Sequence, residues 1–288
     1  MKTGFIGLGA MGAPMARNLH KAGLLTAVHN RSPEKARALA AELGCAASAA
    51  VADLAKLCDA VVLCVSADAD VLQVVDALAG SLKRGTLVLD CSTVSAETAR
   101  KAAAKLTGSG VDFLDCPVSG GTEGAKNGTL AMMCGGTEAV FARAQPVLQA
   151  LGKRLALMGP VGAGQATKAV NQIVVAGVAQ AVSEAMAFAE AQGLALEKVI
   201  DVVGSGAAQS WFLTHRGPNM MRMDFPLGFK VSLHDKDLDI VQRMAAAEGV
   251  QLPVVEMTRV HYRRLMETGH GDEDISSLFR LKQGLFKR

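Results

Sequence analysis

Excess charge of either sign is small in this 288-residue sequence. Thirty Lys and Arg stand against 27 Asp and Glu, a net charge of +3. That excess is too weak and too evenly spread to expect nucleic acid or an anionic membrane as a partner. Aromatic residues are also few, at 4%, with Trp211 the single tryptophan. Paired-cysteine spacings are missing. Cys45, Cys58, Cys64, Cys91, Cys116 and Cys134 all lie in the first half without a C-x-x-C, several of them inside apolar strand-like runs. There Cys behaves as a small hydrophobe, so reduced core thiols of a cytoplasmic protein are expected. No uninterrupted apolar run approaches the roughly 20 residues that span a bilayer. The best stretch, Ile173 to Ala189, is broken by Gln180, Ser183 and Glu184, so no membrane association is expected. The chain opens M-K-T-G-F-I-G-L-G, straight into a strand and a turn, and no signal peptide is expected.

Metal-ligating patterns are lacking too. The six histidines are scattered and form no H-E-x-x-H. Asp235-x-Asp237-x-Asp239 has the beginning of a calcium loop, but Ile240 stands where the loop needs glycine and Ala246 where it needs the bidentate glutamate. A charged first helical turn, favourable to the helix dipole, is the expected reading of these acids. Internal repeats are absent, and Ala-richness is the only compositional bias.

What is present is a core-forming composition. Half the residues are apolar and a fifth are charged, which excludes disorder and a disulfide scaffold. At about 150 residues per domain, the length favours two domains. The first half alternates apolar runs (KTGFIGLG, LLTAVHN, DAVVLCVS, GTLVLDCST, VDFLDCPVSG and LAMMCGG) with helical stretches such as GAPMARNLHKAG and SPEKARALAAELG. Ser32 is placed to cap the second of these helices, with Pro33 at its first position. Continuous rather than alternating hydrophobicity implies strands buried on both faces. The fold class expected is therefore α/β, a doubly wound, largely parallel sheet of the Rossmann type.

After the turn at Gly159 to Gly164 the pattern changes. Gln165 to Gln192 lacks Pro and has Gly only at 177, which fits one long helix. Beyond it LEKVIDVVG, HDKDLDIVQRMAAAEG, PVVEMTRVHYRRLMETG and DISSLFRLKQGLF keep helical spacing. The expected division is a dinucleotide-binding domain over 1–163 and an all-helical domain over 164–288, joined through the long helix.

Gly7-Leu8-Gly9-Ala10-Met11-Gly12 is a G-x-G-x-x-G, a weak signal alone in a glycine-rich chain. Its context strengthens it, because it follows a strand, opens a helix and begins a βαβ unit. Gly7 permits the tight turn, Gly9 the approach of a pyrophosphate, and Gly12 close helix–strand packing, with the helix N-terminus directed at the phosphates. The carboxylate that holds an NAD ribose is expected some 20 residues on. Asn30 stands there instead, followed by Arg31 and Ser32. A neutral amide beside a guanidinium suits a 2′-phosphate, so NADP is expected over NAD.

Lys168 and Asn171, i and i+3 near the start of the long helix, share one face. Ser119-Gly120-Gly121 follows a strand at the sheet edge where α/β ligands bind, and its successive amides can form a nest for a carboxylate. Lys236 is a third candidate. Trp211, before Phe212 and Leu213, could line a substrate mouth, a core or a subunit contact.

Five pieces, in order along nearly the whole chain, are FIGLGAMGAPMARNL, DCSTV, DCPVSGG, GAGQATKAVNQ and HDKDL. Together they resemble the β-hydroxyacid dehydrogenase family, which includes 3-hydroxyisobutyrate dehydrogenase, tartronate semialdehyde reductase and the glyoxylate/succinic semialdehyde reductases. The resemblance implies a catalytic Lys168 with Asn171 as its substrate-orienting neighbour. It implies that Ser119, Gly120 and Gly121 hold a substrate carboxylate, that Thr93 contacts the cofactor near the nicotinamide, and that Lys236 closes over cofactor and substrate. The sequence departs from the family in Cys116, where Ala is commoner, and in Asn30-Arg31, which is more similar to the NADP-using aldehyde reductases. The expected activity is reduction of a short-chain semialdehyde or glyoxylate carrying a carboxylate. Oxidation of 3-hydroxyisobutyrate or a related 3-hydroxyacid is the alternative, and a non-catalytic dinucleotide-binding scaffold is the alternative from another class. Imine reductases typically replace the lysine, and scaffold relatives lack it, so Lys168 argues against both. A homo-oligomer is the family expectation, with the Ala/Val-rich face of the long helix against another subunit.

Overall fold

The computed structural model describes residues 1–286. The chain divides into two compact units, Met1–Lys168 and Ala169–Arg288. The first is built on nine strands: β1 (Thr3–Ile6), β2 (Leu25–His29), β3 (Ala46–Ala47), β4 (Ala60–Leu63), β5 (Leu87–Asp90), β6 (Asp112–Asp115), β7 (Val118–Ser119), β8 (Leu130–Gly135) and β9 (Gly152–Gly159). They lie in the order β3-β2-β1-β4-β5-β6-β8-β7, with β9 on β8. All pairs from β3 to β6 are parallel, β8 runs antiparallel to β6 and β7, and β9 is parallel to β8.

The uninterrupted apolar runs have the cause that hydrophobicity without alternation implies. Phe5 is in register with Val28 and Val62, Val62 with Leu89, and Leu89 with Leu114. These side chains join Met15, Leu19 and Leu39 in one core. Their chain neighbours Ile6, Ala27, Val61, Val88 and Phe113 form a second core with Leu54, Val75, Leu78 and Leu106. Each strand thus feeds two helix layers, and its inner positions are left mainly to apolar side chains, with polar residues such as Thr3, Asp90 and Asp115 at the strand ends.

The order of strands reverses between β1 and β4, so the chain leaves these two for opposite sides. In such sheets the crevice outside the C-terminal strand ends is where ligands bind. Gly7, Asn30, Cys64, Cys91 and Cys116 each begin a connection at that edge.

The helical unit comprises the remainder of the long helix Ala163–Ala191 with Leu196–Gly204, Trp211–Met221, Val231–Ala247, Pro253–Glu267, a 3-10 turn at Ile275–Ser277 and Leu278–Gly284. Its core contains Ala176, Met186, Phe212, Leu238, Tyr262 and Phe279. The long helix reaches the length and apolarity of a membrane span, yet half of its most apolar window is buried in this fold. Gln180 inside it is hydrogen bonded to Thr258.

One helix is found beyond those expected, and two expectations are corrected. Trp211–Met221 is a helix that the spacing does not announce, because Gly217 and Pro218 interrupt it; Ser210 caps it by accepting from Leu213 N–H at 3.1 Å. The acids of 235–239 are not a first helical turn, since their helix begins at Val231 and its first turn holds no acid. Asp235 and Asp239 instead meet Arg259, at 3.2 and 2.8 Å. Ser32 precedes its helix in extended conformation with Pro33 following, but its side chain makes no capping bond.

Candidate active site

The glycine turn shows three different needs. Gly7 has φ +98°, and a Cβ there would stand 2.2 Å from the Cys64 carbonyl oxygen. At Gly12 a Cβ would stand 1.8 Å from the Gly7 carbonyl oxygen, so the helix Gly12–Lys21 can approach the strand only because the side chain is missing. A Cβ at Gly9 would meet no protein atom within 4 Å. The fold itself does not require glycine there, and the space it leaves is what a pyrophosphate would fill. The residues present fit a dinucleotide. Leu8 donates its N–H to Asn30 Oδ1 at 2.8 Å, which ties the turn to the end of β2.

Beside the turn lies a cavity of about 370 Å³. One wall carries Asn30, Arg31, Ser32 and Lys35; the facing wall carries Asp70, Gln73, Val74 and Ala77, one side of the helix Asp68–Ala79. Val51, Val65, Val74 and Ala77 could bound an adenine, and the cations lie where a ribose phosphate could reach them. Arg31 is mostly exposed, and its Nη1 is 3.3 Å from Asp70 Oδ1. Sequence reasoning missed Asp70: it lies 39 residues from Arg31 and no local pattern marks it.

The long helix is fixed at its N-terminus by a residue far away in sequence. Asp115, at the end of β6, accepts from Gly162 N–H at 2.8 Å and from Gln165 N–H at 2.9 Å. A helix's first amides need acceptors, and this carboxylate supplies them. Burial raises the Asp115 carboxyl to about 6, against the downward pull of those amides. Gln165, 1% exposed, turns its side chain to the loop after β5. Its Nε2 donates to Ser92 O at 2.8 Å and its Oε1 accepts from Val94 N–H at 3.2 Å, so both amide atoms grip the backbone on either side of Thr93. Ser92 Oγ in turn accepts from Val65 N–H at 2.9 Å. One hydrogen-bonded frame therefore joins the ends of β4, β5 and β6 to the start of the helix that carries Lys168.

Lys168 is one turn beyond Gln165 and is buried, with 7% of its surface exposed. Thr93 is half-buried. Ser119 ends β7 and pairs with Ala131. Gly120 and Gly121 after it have φ of +129° and +60°, conformations strained for any L side chain. Beneath the frame sits Asp90, fully buried at the end of β5. Its Oδ1 accepts from Ser92 N–H at 2.9 Å, and its Oδ2 has no partner among the described residues. Burial, opposed by the Ser92 hydrogen bonds and assisted by Asp115 and Asp68, pushes this carboxyl up to about 7.

The helical unit holds the other two candidates. Asn171 Nδ2 donates to Gln172 Oε1 at 2.8 Å, Gln172 Nε2 donates to Asp237 Oδ2 at 2.6 Å, and Lys236 Nζ lies 2.9 Å from Asp237 Oδ1. Gln172 and Asp237 are buried, and His234 Nε2 lies 3.3 Å from the Gln172 carbonyl. Asn171 and Lys236 are thus the two ends of one polar chain. The DKD run signalled Asp237, but nothing in the sequence marked Gln172 as its partner. Trp211 does not enter the core: it is 55% exposed, stacked on His215 at 4.4 Å, with Arg216 over its ring.

Residues 2–159 match the family model described as the NAD binding domain of 6-phosphogluconate dehydrogenase. Residues 162–282 match that described as NAD-binding of NADP-dependent 3-hydroxyisobutyrate dehydrogenase. The 2-hydroxy-3-oxopropionate reductase of Escherichia coli is 36% identical over 96% of both chains. The NAD-dependent L-serine dehydrogenase of Pseudomonas aeruginosa is 35% identical, again over 96% of both. Among solved structures, Mycobacterium tuberculosis 3-hydroxyisobutyrate dehydrogenase with L-serine superposes with a TM-score of 0.91, at 32% identity over 97% of this chain and 98% of that one. With both stretches matched and such identities sustained over nearly the full length, the chain belongs to the β-hydroxyacid dehydrogenase family, as an NAD(P)-dependent oxidoreductase of the 3-hydroxyisobutyrate dehydrogenase type.

Proposed function

We propose that the protein uses NADPH to reduce a short-chain aldehyde bearing a carboxylate, a semialdehyde or glyoxylate, to the hydroxy acid. The observation that carries this reading is the frame of Asp115 and Gln165, which bonds the first turn of the Lys168 helix to the loops ending β5 and β6. A lysine held in that way, buried and one turn from Gln165, has little freedom to be elsewhere when substrate arrives. When bound, a nicotinamide cofactor would supply the hydride that reduces the carbonyl carbon. Lys168 gives the oxygen its proton and stabilises the negative charge developing there. Ser119 and the amides of Gly120 and Gly121 hold the carboxylate, so that the aldehyde is presented in one orientation. Asn171 orients the substrate, Thr93 contacts the cofactor, and Lys236 is a further cation for the anionic groups of both. Gly7 to Gly12, with Asn30, Arg31 and Ser32, receive the phosphate and ribose portions.

Arg31 and Lys35 beside the ribose wall support NADP, as does the match to an NADP-dependent family model. A second reading, oxidation of a 3-hydroxyacid with NAD, is favoured by the relative named as an NAD-dependent L-serine dehydrogenase. We propose also that the protein is a homo-oligomer, because Val170, Val174 and Phe188 leave an exposed apolar stripe along the long helix. The activity is tested by following NADPH and NADH absorbance with glyoxylate, succinic, tartronate and methylmalonate semialdehydes. Lys168→Ala is expected to lose about 10²–10⁴ in kcat, the range for a removed acid/base group. Turnover close to that of the unaltered enzyme would take the role from Lys168.

A further inference from the structure

The pocket beside the glycine turn contains two opposing specificity elements. A ribose 2′-hydroxyl calls for a carboxylate acceptor, and a 2′-phosphate calls for a cation. Asn30 stands in the sequence position of the usual acceptor, but its Oδ1 is already taken by Leu8 N–H and its Nδ2 by Ser32 O at 3.2 Å. It therefore holds the loop, with one N–H and one lone pair left over for a ligand. Among the described residues lining the cavity, Asp70 is the one carboxylate, and it comes from the helix after β4 rather than from the end of β2. Arg31, the guanidinium that suits a phosphate, is the group Asp70 touches, at 3.3 Å. The hydroxyl acceptor and the phosphate donor are thus bound to each other across one pocket.

We propose that Asp70 is a specificity-determining residue of the dinucleotide site, which restrains the preference for NADP by occupying Arg31 and opposing the 2′-phosphate. The inference rests on the assignment of this pocket to the ribose end of the cofactor. A 2′-phosphate carries close to two negative charges, and Asp70 adds a third in the same pocket. To bind it, Arg31 must leave or share its carboxylate. NAD places a neutral hydroxyl there, for which Asp70 is an acceptor and the ion pair need not break. Lys35 contributes to the phosphate side alone, so the balance lies between two cations and one anion. Exposed ion pairs are weak, which suits a selector: Arg31 can be recruited by one cofactor without a large penalty for the other.

The test is calorimetric titration of the full chain with NADP⁺ and with NAD⁺, without substrate, for the unaltered protein and for Asp70→Asn and Asp70→Ser. Removing a unit charge a few ångströms from a dianion in a watery pocket is expected to raise the ratio of NAD⁺ to NADP⁺ dissociation constants about tenfold. The gain should shrink at high ionic strength, where such interactions are screened. Asparagine and serine both suit the first turn of a helix, so a loss of fold is separable by thermal melting from a change of preference. An unchanged ratio, or a weaker NADP⁺ in both variants because Asp70 was serving to aim Arg31 at the phosphate, would overturn the proposal. Tighter binding of NAD⁺ by the unaltered protein refutes the NADP reading instead, and leaves the shift between variants readable.

Discussion

Gly9 and Gly12 sit three residues apart in one turn, yet the structure assigns them opposite failures. A Cβ at Gly12 would lie 1.8 Å from the Gly7 carbonyl oxygen and 3.0 Å from the Phe5 ring. The first contact is with backbone and cannot be relieved by a rotamer. Helix and strand would have to separate by about an ångström or more, an overpacking cost of about 3 kcal/mol. For a chain of this size that is a fall in Tm of roughly 6–12 °C at about 2–4 °C per kcal/mol. Gly9→Ala meets nothing within 4 Å, and its φ does not fall in the left-handed range. Its stability without ligand should stay within about 0.5 kcal/mol of the parent. The added methyl group instead occupies the space for the pyrophosphate. Losing one charge-assisted hydrogen bond of about 1.5–3 kcal/mol weakens NADPH by about 10- to 100-fold. Thermal melts with and without NADPH separate the two cases. Gly12→Ala lowers the melt in both, while Gly9→Ala keeps the melt without ligand and loses roughly half or more of the increment that ligand adds, which for the parent is about 2.7 kcal/mol at a hundredfold excess over Kd. A Gly9→Ala protein that still gains the full increment would show that the phosphates bind elsewhere. A Gly12→Ala protein that melts like its parent would refute the packing argument.

Two further outcomes can be stated. Asp90 has its carboxyl raised to about 7 by burial, above the value of about 3.9 it takes in an unfolded chain. The fold therefore binds the proton more tightly, and the stability this contributes is full below about pH 4 and is lost as pH rises through about 7. Asp90→Asn should remove that slope, so its melting temperature relative to the parent climbs between pH 4 and pH 8 by the equivalent of a few kcal/mol; a constant difference across the range would show that Asp90 does not titrate there. For the oligomer, sedimentation should give a multiple of the 29.9 kDa chain mass, and Val174→Asp, which places a charge in the exposed stripe, should reduce it; a monomeric parent defeats the reading.

How far the sequence could be read depends on the range of the interaction. The glycine turn was legible because its motif is complete within six residues of chain, and Gly12 turns out to be forced by neighbours as close as Gly7 and Phe5, although what forces Gly7 is the Cys64 carbonyl after β4, far along the chain. The inner strands were legible because burial on both faces leaves an unbroken apolar run, as in Ala60–Leu63 between its two cores. β9 was not, since Lys153 and Arg154 are exposed at its start and break any such run. The polar frame was illegible for a different reason. Gln165 meets residues 71 and 73 positions away, Asp115 meets amides 47 and 50 away, and Arg31 meets Asp70 39 away. These partners are brought together only because parallel strands end at one edge, where every connection begins at the same level of the sheet. Glutamine and aspartate there look like any solvated polar residue until that edge exists. The long helix that carries Lys168 could be read from its spacing, but what anchors its first turn could not, because Asp115 and Gln165 act through strand order rather than through anything adjacent in the chain.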